Sequence, residues 1–402
     1  MTTPGTKAPR QPRARAEKLI VLGFLLAVCL PAATLVVPTR GARMKRALGE
    51  ARVTFPVVQL TYRSLAAFPS GFRDYFQANF GGRKALIRYH GKLKTALGLS
   101  ASPRVIVGWR GWLYYADERE ADCCRNAIPM TEEQLESWRR TIEARRDWLA
   151  ARGIRFLFVV PPDKHTIYPE FLPPNMRPIR KESRLDQLLT YLHGHSTVDV
   201  DTLDLRPALW GAKRDGQIYC KLDTHWNGLG AFVAHREIAR SLQKWFPDLR
   251  VPELDLARVS RQERTGGDLA RMLGLGSDLK DIYPLVNTDP PQATVVTGAG
   301  EEIRDPSALI DVIVSEKKNA PIPRGVILRD SFCTDLLPML SEDFGRAAYL
   351  WGSEFDPQKI LPERPQVVVW ELVERLLMKP PPDPAIGPIP KEHEADSSDK
   401  LG

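Results

Sequence analysis

The sequence predicts an α/β protein with three layers, in which helices cover both faces of a mainly parallel β-sheet. Short apolar runs of strand length alternate with segments of helical length along residues 101–379. Some runs are almost continuously apolar, as in IRFLFVV at 154–160, which is typical of a strand buried on both faces. With 402 residues, of which 43% are hydrophobic, the chain can bury a large core.

The first hundred residues differ from the rest. Residues 19–37 (LIVLGFLLAVCLPAATLVV) carry no charge and are long enough to cross a bilayer as one transmembrane helix. A cleaved signal peptide is the alternative, but the run is long for one and no clear small-x-small cleavage site follows it. We therefore expect an uncleaved anchor after a basic tail at 1–18, followed by a helical linker at 38–100.

The net charge of +8 is concentrated around this apolar segment. Residues 1–18 and 38–52 each carry a net charge of +4, whereas the tail from Pro380 carries −3. The basic excess suits anionic lipid headgroups and gives little support to nucleic-acid binding. Because five Lys or Arg residues lie on each side of the segment, the positive-inside rule leaves its orientation open.

Each further element follows from a local pattern. Residues 105–115 (VIVGWRGWLYY) have the pattern of a β-hairpin, and Thr131 to Gln134 form a capping box that opens a helix ending near Arg152. Periodicity predicts helices at 182–193, 227–245 and 333–344, and strands at 154–160, 197–200, 325–328, 347–351 and 367–370.

Two segments lack periodicity. Residues 246–324 are expected to form an insertion or an irregular part of the same domain. Residues 380–402 are rich in proline and then polar, which predicts a disordered tail.

The cysteines and glycines point to no cofactor. The five cysteines have no zinc-site spacing, and no glycine pattern of a nucleotide-binding loop is present. Either Cys123 or Cys124 pairs with Cys220 or Cys333 in an oxidising compartment, or the thiols stay buried and free. The sequence leaves both interpretations open.

Two short motifs contain residues suited to nucleophilic catalysis. Asp223 and His225 lie two residues apart, and Ser331 follows the strand predicted at 325–328. In such a set the imidazole takes the serine proton, the carboxylate fixes the imidazole tautomer, and the alkoxide attacks an acyl carbonyl. Ser331 would then lie beyond the carboxyl end of a strand and at a helix N-terminus, where backbone N–H groups stabilise an oxyanion.

Simpler interpretations exist for each motif by itself. Asp330 or Ser331 would serve as an ordinary helix cap, and so would Asp223. Asp223 and His225 could also bind a metal ion, but the sequence offers no third ligand at a recognisable spacing. We therefore expect no metal.

Other residues are secondary candidates. Asp163 and His165 repeat the Asp-x-His spacing, which makes His165 a second candidate for the base. Lys164 and Tyr168, in the same loop, could contact substrate or pack within the loop.

Two acidic residues complete this set. Glu371 could face the same crevice as Ser331, although an ion pair with Arg375 is expected from their (i, i+4) spacing. Asp268 follows two glycines and is expected to be a structural N-cap.

The segments that contain these residues resemble, in the same order, the alginate O-acetyltransferase family (AlgJ/AlgX type), which are SGNH hydrolase-like proteins of bacterial polysaccharide modification. The matching segments are FGGR at 80–83, GWRGWLYY at 108–115, PPDKHTIYPEFLP at 161–173, DTHWNGLG at 223–230, GDLARML at 267–273, RDSF at 329–332 and ELVERL at 371–376. The specific part is DTHWN followed by DSF.

The resemblance implies a circularly permuted SGNH core at 101–379, in which Asp-x-His precedes the serine. Ser331 would be the nucleophile, His225 the general base and Asp223 the residue that orients it. Arg329 stands where many SGNH serine blocks have glycine, so the sequence does not assign the oxyanion donor usually drawn from that turn. Arg329, Lys164, Tyr168 and Glu371 are the candidate oxyanion or substrate contacts.

The resemblance also implies a location, a partner and a reaction. The catalytic domain would lie in the periplasm, held by a bacterial inner-membrane anchor, with residues 1–18 in the cytoplasm. A membrane-bound O-acyltransferase would supply acetyl groups, and an exported polysaccharide would accept them. A polysaccharide acetyl esterase with the same triad and a non-catalytic scaffold for glycan export are the alternative functions.

Overall fold

The computed structural model describes residues 18, 20–25, 54–57, 60–79, 83–116, 119–196, 200–301 and 310–378. The chain divides into two compact units, Met1–Leu93 and Lys94–Gly402. Within the described ranges, no helix is long and apolar enough to cross a membrane. Most of the expected anchor at 19–37, and the whole tail at 380–402, lie outside the described residues.

The described part of the first unit is mainly helical. Helix α1 (Tyr62–Asn79) lies within this unit. Helix α2 (Arg83–Ala96) begins in it and ends three residues after its last residue, Leu93. Phe55 packs its ring edge-on against the rings of Phe68, Phe72 and Tyr75, so aromatic contacts hold the preceding segment against α1.

The second unit is built on a seven-stranded sheet. The described strands of this unit are β1 (Val105–Val107), β2 (Leu113–Tyr115), β3 (Arg155–Val160), β4 (Thr202–Asp204), β5 (Val259–Thr265), β6 (Lys280–Val286), β7 (Thr294–Thr297), β8 (Val312–Glu316), β9 (Ile322–Arg329), β10 (Phe344–Trp351) and β11 (Val367–Glu371). The order of the seven strands in the sheet is β4-β3-β11-β9-β10-β8-β7. The five strands from β4 to β10 in the sheet order are parallel, and β8 and β7 continue the sheet antiparallel. The sheet is therefore mixed, with a parallel centre.

Helices cover both faces of this sheet. The described helices of this unit are α3 (Glu120–Cys124), α4 (Glu132–Ala150), α5 (Lys164–Ile167), α6 (Arg184–His195), α7 (Arg206–Ala212), α8 (Gly228–Gln243), α9 (Asp268–Met272), α10 (Cys333–Asp343) and α11 (Pro357–Ile360). Alternate residues of the central strands enter opposite cores: Phe158 packs in a cluster with residues of α4 and α6, and Val159 in a cluster with residues of α8 and α10. The three-layer prediction is confirmed.

Local signals placed several elements correctly. Thr131 Oγ1 accepts a hydrogen bond from the Gln134 N–H, and Gln134 Oε1 accepts one from the Thr131 N–H, which is the predicted capping box at the start of α4. The predicted hairpin is β1 paired antiparallel with β2. Cys220 and Cys333 are free thiols, so neither forms the disulfide that the sequence left open.

Residues 246–324 belong to the same unit as the main sheet, and they contain strands that the sequence did not predict. They contribute the antiparallel hairpin of β5 and β6 and the two strands β7 and β8 of the main sheet. β5 (VSRQERT) is polar and mostly exposed, so no apolar run marks it. The strand expected at 197–200 also differs: residues 197–199 lie outside the described residues, and β4 begins at Thr202.

Candidate active site

Ser331 lies in the turn between β9 and α10, at the carboxyl end of a central parallel strand. The Asp330 carboxylate fixes this turn, because it accepts hydrogen bonds from the backbone N–H of Phe332 at 2.8 Å and of Val373 at 2.7 Å. The second bond ties the serine turn to the segment that follows β11. The alternative interpretation of Ser331 as a helix cap is not supported, since its hydroxyl lies 2.8 Å from His225 Nε2 and no side chain caps α10.

His225 lies within hydrogen-bond distance of both other members of the set. Its Nε2 is 2.8 Å from Ser331 Oγ, and its Nδ1 is 2.7 Å from Asp223 Oδ1. An ionised Asp223 can only accept from Nδ1–H, so Nε2 is the ring nitrogen that accepts the Ser331 hydroxyl proton. The structure thus assembles the three residues in the order that general-base catalysis needs.

Neighbouring residues hold the histidine turn in place. Asn227, not Asp223, caps α8, since its Oδ1 accepts from the N–H groups of Leu229 and Gly230 at 3.1 Å. The Trp226 indole N–H donates to the Phe332 carbonyl at 3.2 Å, which links the histidine turn to the serine turn.

Electrostatics favours the charged forms of Asp223 and His225. Burial by itself would raise the pKa of Asp223, but the hydrogen bond and charge of His225 and the N–H of Asp268 outweigh it and lower this pKa. Burial by itself would lower the pKa of His225, whereas the hydrogen bond and charge of Asp223 outweigh it and raise this pKa. The imidazolium that forms on proton transfer from Ser331 is therefore stabilised.

Lys164 and Tyr168 make hydrogen bonds within the protein, and Lys164 also lines a small cavity beside Thr224. The buried Lys164 ammonium donates to the carbonyls of Cys220, Lys221 and Asp223 at 2.9, 3.2 and 2.6 Å. Burial lowers the pKa of Lys164 to about 8. The Tyr168 hydroxyl accepts from the Ile218 N–H at 3.1 Å, and its ring packs on Trp112. Both side chains hold loops together.

Arg329 and Glu371, the other two candidate contacts, are buried and hydrogen-bonded within the protein. Arg329 is 1% exposed and donates to the Ile310 carbonyl at 3.0 Å, with its guanidinium over the Trp351 ring. Glu371 is buried and accepts a hydrogen bond from the Asp330 N–H at 2.8 Å, so it helps to hold the serine turn in place. Burial raises the pKa of Glu371 well above its usual value.

The second Asp-x-His sequence does not form a second dyad. The Asp163 carboxylate binds the Arg375 guanidinium at 2.5 Å, so the ion pair predicted between Glu371 and Arg375 is replaced by this one. His165 is buried in α5 and lines a small cavity with Thr224 and Arg375. His225, and not His165, is the histidine hydrogen-bonded to Ser331.

Asp268 is the residue that the sequence prediction undervalued. It is the first residue of α9, after the N-cap Gly267, and its carboxylate accepts from the Leu269 N–H at 2.6 Å. It also lies against the triad: its N–H donates to Asp223 Oδ2 at 2.9 Å, and its carboxylate accepts from the Thr224 N–H and hydroxyl at 2.8 and 2.5 Å. The preceding glycine was the available signal. A Cβ at Gly267 would lie 2.2 Å from the Leu222 carbonyl oxygen, so only glycine allows this contact with the histidine loop.

Asp268 also supplies the third acidic or imidazole group that the sequence lacked near Asp223 and His225. Their ligand-type atoms lie within 4.8 Å of one another. Asp223 Oδ1 already accepts a hydrogen bond from the imidazole, and the Asp268 carboxylate accepts one from the Thr224 hydroxyl. The arrangement is that of a hydrogen-bond network around an imidazole.

The site is a Ser-His-Asp set at the carboxyl edge of a three-layer α/β domain. Its Asp-x-His sequence comes earlier in the chain than the serine. These features are those expected of the SGNH hydrolase-like class. Residues 105–309 match the family model "ALGX: SGNH hydrolase-like domain, acetyltransferase AlgX". This match includes Asp223 and His225, and Ser331 lies beyond its end. The chain belongs to this family, and the resemblance predicted from the sequence is confirmed.

Individual relatives agree with the family. The chain is 26% identical over 292 residues to "Probable alginate O-acetylase AlgJ" of Pseudomonas fluorescens, covering 68% of each protein. It is 24% identical over 319 residues to the protein of the same name from Pseudomonas aeruginosa, covering 76% of this chain and 78% of that one.

Two solved structures were matched as well. The O-acetyltransferase domain of Pseudomonas putida AlgJ is 19% identical, with 70% of this chain and 94% of that one covered and a TM-score of 0.43. Bacillus cereus PatB1 is 18% identical, with 61% and 91% covered and a TM-score of 0.45.

Proposed function

We propose that this protein is an O-acetyltransferase that transfers acetyl groups to hydroxyls of an exported bacterial polysaccharide through an acyl-enzyme on Ser331. The observation that carries the proposal is the continuous hydrogen-bonded set from Ser331 Oγ through His225 to Asp223. Membership of the AlgX family and the names of the AlgJ relatives support acetyl transfer, and alginate-like polymers are the corresponding acceptor class.

The first half-reaction forms the acyl-enzyme. His225 Nε2 takes the Ser331 hydroxyl proton while Oγ bonds to the carbonyl carbon of the acetyl donor. Among the described residues, no acceptor is found for the Ser331 backbone N–H, which lies just before α10 and can donate to the developing oxyanion. Collapse of the intermediate breaks the bond to the donor, and the imidazolium returns its proton to the leaving oxygen.

The second half-reaction reverses these roles. A sugar hydroxyl gives its proton to His225 Nε2 as its oxygen attacks the acetyl carbon, and the bond from Ser331 Oγ to that carbon breaks. The imidazolium then returns the proton to Ser331, so the enzyme is regenerated. Water in place of the sugar would give the esterase reaction, since the same residues serve both acceptors.

The proposal includes a membrane setting. Residues 19–37 would anchor the protein in the inner membrane, with the catalytic unit in the periplasm beside a membrane-bound O-acyltransferase that donates acetyl groups. The uncharged run at 19–37 and the basic residues on both sides of it support this setting.

Replacing Ser331 by alanine tests the nucleophile. We expect Ser331→Ala to lower acetyl transfer to an oligosaccharide by about 10³-fold or more, because no covalent intermediate can form. Ser277→Ala, at an exposed serine, is the matched control. Transfer by Ser331→Ala at the wild-type rate would show that the assignment is wrong.

The same assay separates transferase from esterase. Acetate release and acetylated oligosaccharide are measured with and without the acceptor. A transferase diverts acetyl groups to the sugar as acceptor is added. An unchanged rate of acetate release with no acetylated sugar would favour the esterase.

A further inference from the structure

A second carboxylate, that of Asp268, lies against the catalytic histidine turn. It accepts both the N–H and the hydroxyl of Thr224, and the Thr224 Oγ1 is in turn 3.2 Å from His225 Nδ1. The Asp268 backbone N–H reaches Asp223 Oδ2 from the same side. One residue therefore contacts Asp223 directly and His225 through Thr224.

The backbone fixes Asp268 in this position. The Ala270 N–H donates to the Leu222 carbonyl at 3.2 Å, next to the close approach of Gly267 to the same carbonyl. The start of α9 is thus packed directly on the loop that precedes Asp223. Because these contacts hold the backbone at Asp268, its carboxylate loses little conformational entropy when it binds Thr224.

The charges around His225 favour its protonated form. Asp223, Asp268, Asp335 and Arg375 are the charged groups that act on the imidazole, and the Lys164 ammonium lies behind the loop. Burial raises the pKa of Asp335. Asp223 and Asp268 are the two carboxylates that favour the charged form of the imidazole, and the Arg375 guanidinium opposes it. Burial and the charge of Asp223 raise the pKa of Asp268, whereas the charge of His225 and the Thr224 hydroxyl lower it. Proton transfer from Ser331 therefore places a positive charge beside both carboxylates.

We propose that Asp268 is a positioning residue of the reaction. Through Thr224 it fixes the Asp223–His225 turn, and its carboxylate supplies the second negative charge that stabilises the imidazolium. The inference rests on the proposed function in one respect, namely that Ser331 is the nucleophile and His225 its base. It assigns the site four polar participants beside the serine: Asp223, Thr224, His225 and Asp268.

The test follows the reactivity of Ser331 as a function of pH, using the full-length protein and an aryl sulfonyl fluoride as the probe. Labelling of Ser331 needs a neutral His225, so its rate rises with pH through the pKa of this histidine. In Asp268→Asn, the loss of a carboxylate lowers that pKa, and we expect the rising limb to move to lower pH by about one unit. The plateau rate should fall about tenfold, because the imidazolium is less stabilised.

Variants of Thr224 keep the inference testable if Asp268→Asn does not fold. Thr224→Val removes the hydroxyl and should move the limb in the same direction by less, whereas Thr224→Ser should restore the wild-type profile. Asp289→Asn, at an exposed aspartate, is the charge-matched control. Circular dichroism establishes that each variant is folded.

Two results would overturn the inference: a folded Asp268→Asn with its limb at the wild-type pH, or a Thr224→Val profile identical to that of the wild type. A role in folding alone would lower the amount of active protein without moving the limb. Acetyl transfer is measured in parallel. If the limb moves but the wild type transfers no acetyl group to sugar, the proposed function fails and the role of Asp268 stands.

Discussion

The turns at 163–165 and 223–225 have the same Asp-x-His spacing, but only in the second does the aspartate bind the histidine. In the second turn the Asp223 carboxylate binds the His225 imidazole at 2.7 Å and the ring reaches Ser331. In the first, Asp163 binds Arg375, and His165 is buried in α5. The spacing of an acid and a histidine therefore does not define a catalytic dyad.

Backbone conformation explains the difference. Asp163 is the N-cap residue of α5, and residues two apart on a helix face different directions, so its carboxylate is directed away from His165. Asp223 instead accepts the backbone N–H of His225 at 3.3 Å, a local turn that brings acid and imidazole to the same side. The first turn supports the second, because Lys164 between Asp163 and His165 holds the carbonyl of Asp223.

Replacing each of the two histidines in turn should give the largest difference in the rate at which Ser331 is acylated. His225→Ala should lower the rate at which Ser331 is acylated by about 10²–10⁴-fold, since the general base is lost. His165→Ala should leave that rate within about threefold, because His165 is not hydrogen-bonded to the serine. Burst kinetics with a chromogenic acetyl ester measure acylation in both. An equal loss in the two variants would contradict the assignment of the base.

Replacing the two aspartates separates catalysis from stability. Asp223→Asn should lower acylation by about 10³–10⁴-fold, because an amide can hold the imidazole in the wrong tautomer. Asp163→Asn should instead lower the free energy of unfolding by about 3 kcal/mol, since it leaves the largely buried Arg375 without its carboxylate. Urea unfolding and acylation rates are measured on both variants. Normal activity in Asp223→Asn, or unchanged stability in Asp163→Asn, would remove the contrast.

Lys164→Met tests the link between the two turns, and its expected effect is smaller. Losing the ammonium that holds three carbonyls should lower the acylation rate about tenfold, because Asp223 is less well placed. It also changes the pH dependence of stability. The pKa of Lys164 is about 8 in the folded protein and has an ordinary value of 10.5, so the folded state loses this proton first.

The sign of that dependence follows from linkage. Between about pH 8 and 10.5 the unfolded chain binds more protons at Lys164, so the free energy of unfolding of the wild type should rise with pH relative to Lys164→Met. Urea unfolding of both proteins at several pH values across this range measures the difference. Parallel curves would show that the Lys164 proton is not linked to folding.

Much of the fold could be predicted because its signals are local. The apolar runs of β3, β9, β10 and β11 and the capping box of α4 depend on neighbouring residues. The strands β5, β7 and β8 could not be, since β5 is polar and mostly exposed, and β7 and β8 have only four and five residues. For the site, DTHW and RDSF identified Asp223, His225 and Ser331.

The sequence by itself determined which residues could react, because an imidazole, a carboxylate and a hydroxyl are chemical identities. Only the tertiary structure decided which of two Asp-x-His pairs reaches the serine and what the remaining candidates do. Arg329, Glu371, Lys164 and Tyr168 support the structure, whereas Asp268 lies against the catalytic turn. The reason is physical: side-chain direction and burial arise from contacts between segments far apart in the chain, and residue spacing does not contain them.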